Sequence, residues 1–159
     1  MIGRLRLKSL IILVSYHHNN TQKIAEVMAK VIDAEIKTPQ QINLEELNRY
    51  DLVGFGSGIY FWKHHKDLLE LAEKLPQQIN KKAFIFSTSA NTENAPKFHS
   101  LLREKLQSKG YTIVDEFNCA GFNSWGPLKL VGGNKKGRPN ADDLKHAEEF
   151  ASILKNSPG

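Results

Sequence analysis

The chain has 159 residues, 40% hydrophobic and 25% charged, with a net charge of +5. That length suits one globular domain with a sizeable core, and the composition excludes a disordered or fibrous chain. Its single cysteine, Cys119, excludes an internal disulfide framework, and no apolar run approaches the roughly 20 residues of a membrane span.

The chain opens on MIGRLRLKSLIILVSY, a basic start followed by an apolar stretch. The apolar part, Leu10 to Val14, is short and has no small-residue cleavage site, so it reads as a strand rather than a secretory signal. A cytoplasmic protein is the expectation. Ser9 to Val14 is a continuous apolar run, as in a strand buried on both faces. Ile24, Val27, Met28, Val31 and Ile32 then fall on one helical stripe. Ala34 to Lys37 gives a short second strand, and Asn43 with Glu46 forms a cap-like pair opening a helical turn.

Asp51 to Ser57 reads as a third buried strand, with Leu68, Leu71, Ala72 and Leu75 marking the helix beyond its loop. Ala83 to Ser87 is a fourth strand. Phe98, Leu101, Leu102 and Leu106 make the next helical stripe, which Gly110 is placed to end. Tyr111 to Phe117 alternates as a fifth strand, and Asn140 caps a last helix carrying Leu144, Ala147, Ala151 and Leu154. Strands alternating with helices predict an α/β fold: a three-layer, doubly wound, five-stranded parallel sheet. Five strands favour the order 2-1-3-4-5, with ligands beyond the C-terminal strand ends. With no repeat or linker visible, residues 1–159 read as a single domain.

The chemistry is therefore expected after strands one, three and four. After strand one, Ser15-Tyr16-His17-His18-Asn19-Asn20-Thr21 leads directly into a helix. Free backbone N–H groups at a helix N-terminus bind phosphate, and asparagines tolerate the left-handed backbone that curls such a loop inward. No lysine or arginine lies there, which suits one terminal phosphate better than a triphosphate. A plain turn with an asparagine cap is the alternative. The loop lacks the acidic pair of a magnesium-dependent receiver domain and the cysteine nucleophile of a low-molecular-weight phosphatase. No phosphate-loop lysine motif occurs anywhere.

After strand three, Ser57-Gly58-Ile59-Tyr60-Phe61-Trp62 sets three aromatics side by side in a loop. Either they pack as core or they form a wall for a planar ligand. Gly54, Gly56 and Gly58 allow close backbone approach. After strand four, Ser87-Thr88-Ser89-Ala90-Asn91 is small and polar, suited to main-chain recognition of a ring edge.

Together these loops resemble the flavodoxin family over nearly the whole chain. The family's phosphate loop reads roughly [ST]-x-[ST]-G-N-T, and Tyr16-His17-His18-Asn19-Asn20-Thr21 occupies its place. Asn20 and Thr21 match; Tyr16, His18 and Asn19 depart from it. GFGSGIYF is similar to the G-S-P-I-Y loop of short flavodoxin-like proteins, with Gly58 in place of proline. The resemblance implies a noncovalent FMN whose ring is held by this loop and the one after strand four. One of Tyr60, Phe61 and Trp62 would stack on it, and a carbonyl near Ser57 or Gly58 would face its N5. The implied function is electron transfer between redox partner proteins.

Typical flavodoxins are acidic, whereas this chain is basic. The excess lies in Lys129, Lys135, Lys136 and Arg138, within an acid-free stretch from Ala120 to Asn140, and in Lys63, His64, His65 and Lys66. A loop of about twenty residues without evident secondary structure is usually functional or disordered. An acidic partner protein or an anionic substrate is the functional reading, and solvated loops are the bland one. No nucleic-acid motif accompanies the charge, so nucleic acid is not expected. His17-His18 and His64-His65 lack the ligand spacing of a metal site, and Cys119 reads as a buried, inert thiol. No acid, base or nucleophile pair is readable at the strand ends, so no catalytic residue is assigned and an electron carrier is favoured. The alternatives are an FMN-dependent oxidoreductase (quinone-reductase-like or protoporphyrinogen-oxidase-like) and a binding module without flavin. A monomer and a homodimer are both compatible with the sequence.

Overall fold

The structure is a computed structural model, and it describes residues 8–15, 20–90, 92–121 and 138–156. The strands are β1 (Ser9–Val14), β2 (Glu35–Lys37), β3 (Leu52–Tyr60), β4 (Lys63–His64), β5 (Lys81–Ser89) and β6 (Tyr111–Ala120). The helices are α1 (Asn20–Ile32), α2 (Lys66–Lys74), α3 (Ala95–Ser108) and α4 (Ala141–Asn156), with short 3-10 turns at Pro39–Gln41 and Leu44–Arg49. The main path of the sheet is β2-β1-β3-β5-β6, and each of those neighbours pairs in parallel. Counted among the parallel strands alone, this is the expected 2-1-3-4-5 winding. The sixth strand, β4, pairs antiparallel with the end of β3 and was not legible as a strand.

Residue alternation sorts the strand side chains into two cores. On one face Val53, Phe55, Ala83 and Ile85 pack against Leu68 and Leu71 of α2 and Leu102 and Leu106 of α3. On the other, Ile11, Leu13, Phe84 and Phe86 meet Ile24 and Met28 of α1 and Ala147, Phe150 and Leu154 of α4. Phe84 and Phe86 are fully buried, and burial of such a ring contributes about 1.5–3 kcal/mol. They fit because β3 carries glycine beside them. A Cβ on Gly54 would lie 2.2 Å from Phe84, and one on Gly56 would lie 2.1 Å from Phe86. These two glycines thus make room for aromatic rings of the neighbouring strand rather than for a ligand.

Strand β6 departs from simple alternation. Its register with β5 slips between Ala83 and Phe84, so that Ala83 faces Ile113 while Phe84 faces Asp115. One extra residue reverses the faces of everything beyond it. Tyr111 and Ile113 belong to the α2/α3 core, whereas Phe117 and Cys119 belong to the α1/α4 core. The even-numbered Glu116 and Asn118 are thereby turned toward α3.

Helix ends follow their sequence signals. Asn140 Oδ1 accepts from the Asp143 backbone N–H at 3.0 Å, and the Asp143 carboxylate accepts from the Asn140 N–H at 2.8 Å, a reciprocal cap. Gly110 ends α3 with φ of 92°, and a Cβ there would strike the Gln78 carbonyl oxygen at 2.0 Å. No helix among the described residues is long and apolar enough to cross a membrane.

Candidate functional site at the C-terminal strand ends

At the end of β1, the Ser15 hydroxyl accepts from the Gln22 N–H in the first turn of α1 at 3.2 Å, satisfying one of the donors a helix start leaves open. Thr21 is buried, and its hydroxyl hydrogen-bonds that of Thr88 at 2.8 Å. Asn20 is buried beside Gly121, where a Cβ would lie 3.0 Å from Asn20 Nδ2 and 3.1 Å from Thr88 Cβ. The ends of β1, β5 and β6 therefore converge at one place. Thr21 is thus engaged with the sheet there. Tyr16, His17, His18 and Asn19 lie outside the described residues, as do Asn91 and the basic positions Lys129, Lys135 and Lys136.

The segment after Ser57 differs from the expected open loop. Strand β3 continues through Gly58, Ile59 and Tyr60, because Gly58 pairs with Thr88 and Tyr60 pairs with Lys63 across a tight hairpin. Phe61 and Trp62 are its two turn residues, with φ of 51° and 69°. Two-residue hairpins demand this left-handed backbone and normally place asparagine or glycine there. An L-residue in that conformation costs about 1–2 kcal/mol. Here two bulky aromatics adopt it, and Phe61 is 89% and Trp62 68% exposed. Trp62 leans on Phe98 with ring centroids 5.5 Å apart, and Tyr60 meets the His65 ring edge-on at 5.1 Å. Held outward at a strained turn beside the ends of β3 and β5, these rings form an apolar wall that fits a planar ligand.

The Gly58 carbonyl accepts from the Ser57 hydroxyl at 2.6 Å, and Ser57 Oγ accepts from the His65 N–H at 3.0 Å. The peptide after Gly58 is thus held within the sheet, and turning its oxygen to a ligand would break the Ser57 bond. His65 caps α2, its Nδ1 accepting from the Asp67 N–H. His64 is buried, with Nε2–H donating to the Phe86 carbonyl at 3.1 Å. Burial, followed by the nearby His99, pushes the His64 pKa down to about 3, so it stays neutral. Cys119 is also buried, and that burial pushes its thiol up to about 12.

A polar cluster that motif reasoning missed lies beneath this wall. Ser87, fully buried, has its hydroxyl 2.6 Å from His99 Nε2. His99 Nδ1 lies 2.8 Å from Glu116 Oε1, and Arg103 grips the same carboxylate at 2.5 and 2.7 Å. Burial raises the Glu116 pKa, but hydrogen bonds from His99 and Arg103 outweigh it and hold the group down to about 2. Asn118 Nδ2 donates to Ser87 Oγ at 2.7 Å and to Ser89 Oγ at 3.2 Å. The cluster thus reaches Ser89, which ends β5 at the rim and is half-buried, as is Ala90 after it. Its only sequence signal is His99, three residues before Leu102 on the apolar stripe of α3. Glu116 and Asn118 join it only because the β6 slip turns them toward α3.

The comparisons with known proteins agree with this geometry. Residues 11–123 match the family model for a flavodoxin domain. An uncharacterised protein of Methanocaldococcus jannaschii is 48% identical over 151 residues, covering 94% of this chain and 100% of that one. Oxidised flavodoxin 1 from Bacillus cereus superposes with a TM-score of 0.68 at 17% identity, covering 95% and 100% of the two chains. The apo form of an NADH:FMN oxidoreductase superposes with a TM-score of 0.62 at 17% identity, covering 95% and 91%. With the sheet order, the convergent strand ends and the matched domain in agreement, the chain belongs to the flavodoxin family.

Proposed function

We propose that the chain binds FMN noncovalently and passes electrons between redox partner proteins in the cytoplasm. The observation that carries this reading is the pair Phe61 and Trp62, displayed at a strained turn next to the C-terminal ends of β3 and β5. Backbone N–H groups at the start of α1 would hold the phosphate. Ser89 and Ala90 would meet one edge of the ring and the hairpin its face. FMN supplies the redox chemistry when bound, and the chain binds it, orients it and limits its contact with water. Exposed Lys63, Lys66 and Lys97 near the hairpin favour an acidic partner, whose approach salt would slow. Titrating the purified chain with FMN tests the reading: binding should quench flavin fluorescence, and Phe61→Ser with Trp62→Ser should weaken it.

A second reading is an FMN-dependent oxidoreductase acting on a small molecule such as a quinone or porphyrin. The fold-level likeness to an NADH:FMN oxidoreductase favours it. Fold alone does not fix activity. Steady-state oxidation of NADH with a quinone acceptor separates the two, since a carrier turns over slowly without its protein partners.

A further inference from the structure

The end of the sheet opposite the ring site carries a patch of charge that the proposed electron transfer does not use. The chain leaves α2 at Leu75, bends at Ile79 and Asn80, where Asn80 has φ of 58°, and enters β5 at Lys81. This loop is fastened to the end of α3. The Gln78 N–H donates to the Lys109 carbonyl at 2.8 Å, and Gln77 Nε2 donates to the Ser108 carbonyl at 3.0 Å. Leu75 and Gln78 are buried, yet Ile79 is 82% exposed. A firmly held loop thus presents one aliphatic side chain to the outside.

Cations surround it. Lys74 ends α2 and is exposed, Lys81 and Lys82 start β5, and Lys109 caps α3. Lys8, just before β1, is tied to the same face: the Asp51 N–H donates to the Lys8 carbonyl at 2.7 Å, and the Lys82 N–H donates to the Asp51 carbonyl at 3.2 Å. Lysines at a helix end have a local reason, since they oppose the negative end of the helix dipole. Lys8 and Lys81 stand at strand starts and have no such reason. Their ammonium groups meet neutral partners, the Tyr50 ring at 5.4 Å and the Asn48 carbonyl at 2.7 Å. Of the carboxylates beside them, Glu73 is paired with Lys105, and Asp51 accepts from the Lys8 backbone N–H at 3.0 Å. The residues leading into Lys8, Met1 to Leu7, add Arg4 and Arg6 and no acid; they lie outside the described residues and are joined to this face by the chain itself.

We propose that this face docks on a lipid bilayer carrying anionic headgroups, with Ile79 entering the interface and the ring site turned toward the solution. Lysine is depleted at protein–protein interfaces, whose cores favour aromatics and arginine. This face offers the reverse, lysines around a single aliphatic, while the exposed aromatics Phe61 and Trp62 sit at the opposite end on the hairpin. Long lysine stems lie along an apolar boundary and keep their ammonium groups at headgroup level. Each such cation strengthens binding to an anionic surface about fivefold. One inserted aliphatic adds to this without anchoring the chain by itself. Strand β3 runs 9 residues from this face to the hairpin, about 30 Å at the usual rise. Docking would therefore hold the ring site well clear of the headgroups, within reach of partner proteins in solution.

The test needs no FMN, so its outcome is independent of the cofactor reading. The full chain is mixed at low salt with vesicles of phosphatidylcholine, alone or with about 30% phosphatidylglycerol, and sedimented with them. It should bind the anionic vesicles, bind the neutral ones at least about tenfold more weakly, and be released by about 0.5 M salt. Lys81→Gln with Lys82→Gln should weaken binding about tenfold to thirtyfold, and Ile79→Ser about threefold to tenfold. Should the lysine pair not fold, Lys8→Gln with Lys74→Gln, both exposed, carries the test with the same expected loss. No binding to the anionic vesicles, or undiminished binding by the lysine variants, would overturn the docking. An equal loss in Lys63→Gln with Lys66→Gln would overturn it too, by placing the contact at the hairpin end. Undiminished binding by Ile79→Ser would overturn the insertion. Binding of polyglutamate without binding of vesicles would make the face a protein-docking surface and overturn the bilayer.

Discussion

Replacing Phe61 with asparagine should make the protein more stable and a poorer FMN binder. Phe61 has φ of 51° in a two-residue hairpin, a conformation costing an ordinary L-residue about 1–2 kcal/mol, and asparagine tolerates it far better. The ring gives little back in packing. It is 89% exposed, so about a tenth of a side chain of roughly 200 Å² is covered, worth about 0.5 kcal/mol. The difference predicts that Phe61→Asn stabilises the chain by about 0.5–1.5 kcal/mol and raises Tm by about 1–6 °C. Urea denaturation of the FMN-free protein reads this directly, with an unchanged slope and a higher midpoint. FMN affinity should fall about threefold to tenfold, as expected on losing one aromatic contact. A variant destabilised by 1 kcal/mol or more would refute the reasoning, because it would show that the aromatic is structural.

Three further outcomes follow from the same geometry. Gly56→Ala should destabilise by about 1–3 kcal/mol through collision with the Phe86 ring; adding Phe86→Leu should recover part of that loss in a double-mutant cycle, and strict additivity would contradict it. Glu116 is held down to about 2 in the folded chain, so its contribution is full above the unfolded pKa near 4.3 and lost as pH falls toward 2. Glu116→Gln should flatten the acid limb of stability in that window by about 1–2 kcal/mol, less than the full shift because solvent screens this partly exposed carboxylate, measured by denaturant melts at stepped pH. His64 is also lowered, to about 3, so its destabilising influence grows as pH falls from about 6.5 toward 3, and His64→Gln should make stability less pH-dependent there.

Much of the fold was legible because its signals are local. A continuous apolar run marked β1, helical stripes marked α1, α3 and α4, and Gly110 and Asn140 marked helix ends; all lie where the pattern placed them. What escaped depends on contacts between distant segments. Strand β4 is two residues long and exists only because Tyr60 and Lys63 pair around Phe61 and Trp62, residues whose types argue against such a turn. The strands β3 and β5 run farther than Asp51–Ser57 and Ala83–Ser87, because β3 extends through Gly58, Ile59 and Tyr60 by pairing with Thr88 and β4, and β5 extends through Lys81, Lys82, Thr88 and Ser89, polar residues that carry no apolar signal. Ser87 was legible as part of a polar strand end, but its partners were not. His99 comes from α3 and Glu116 from β6, and no sequence pattern announces the one-residue slip that turns Glu116 inward.

The most direct test of the account is the visible spectrum of the purified chain after adding FMN, removing the excess and reducing it in steps. Flavin absorbance should be retained with quenched fluorescence, and reduction should pass through a stable one-electron form. Absence of retained flavin, at any FMN concentration that saturates a flavodoxin-type site, would contradict the central claim.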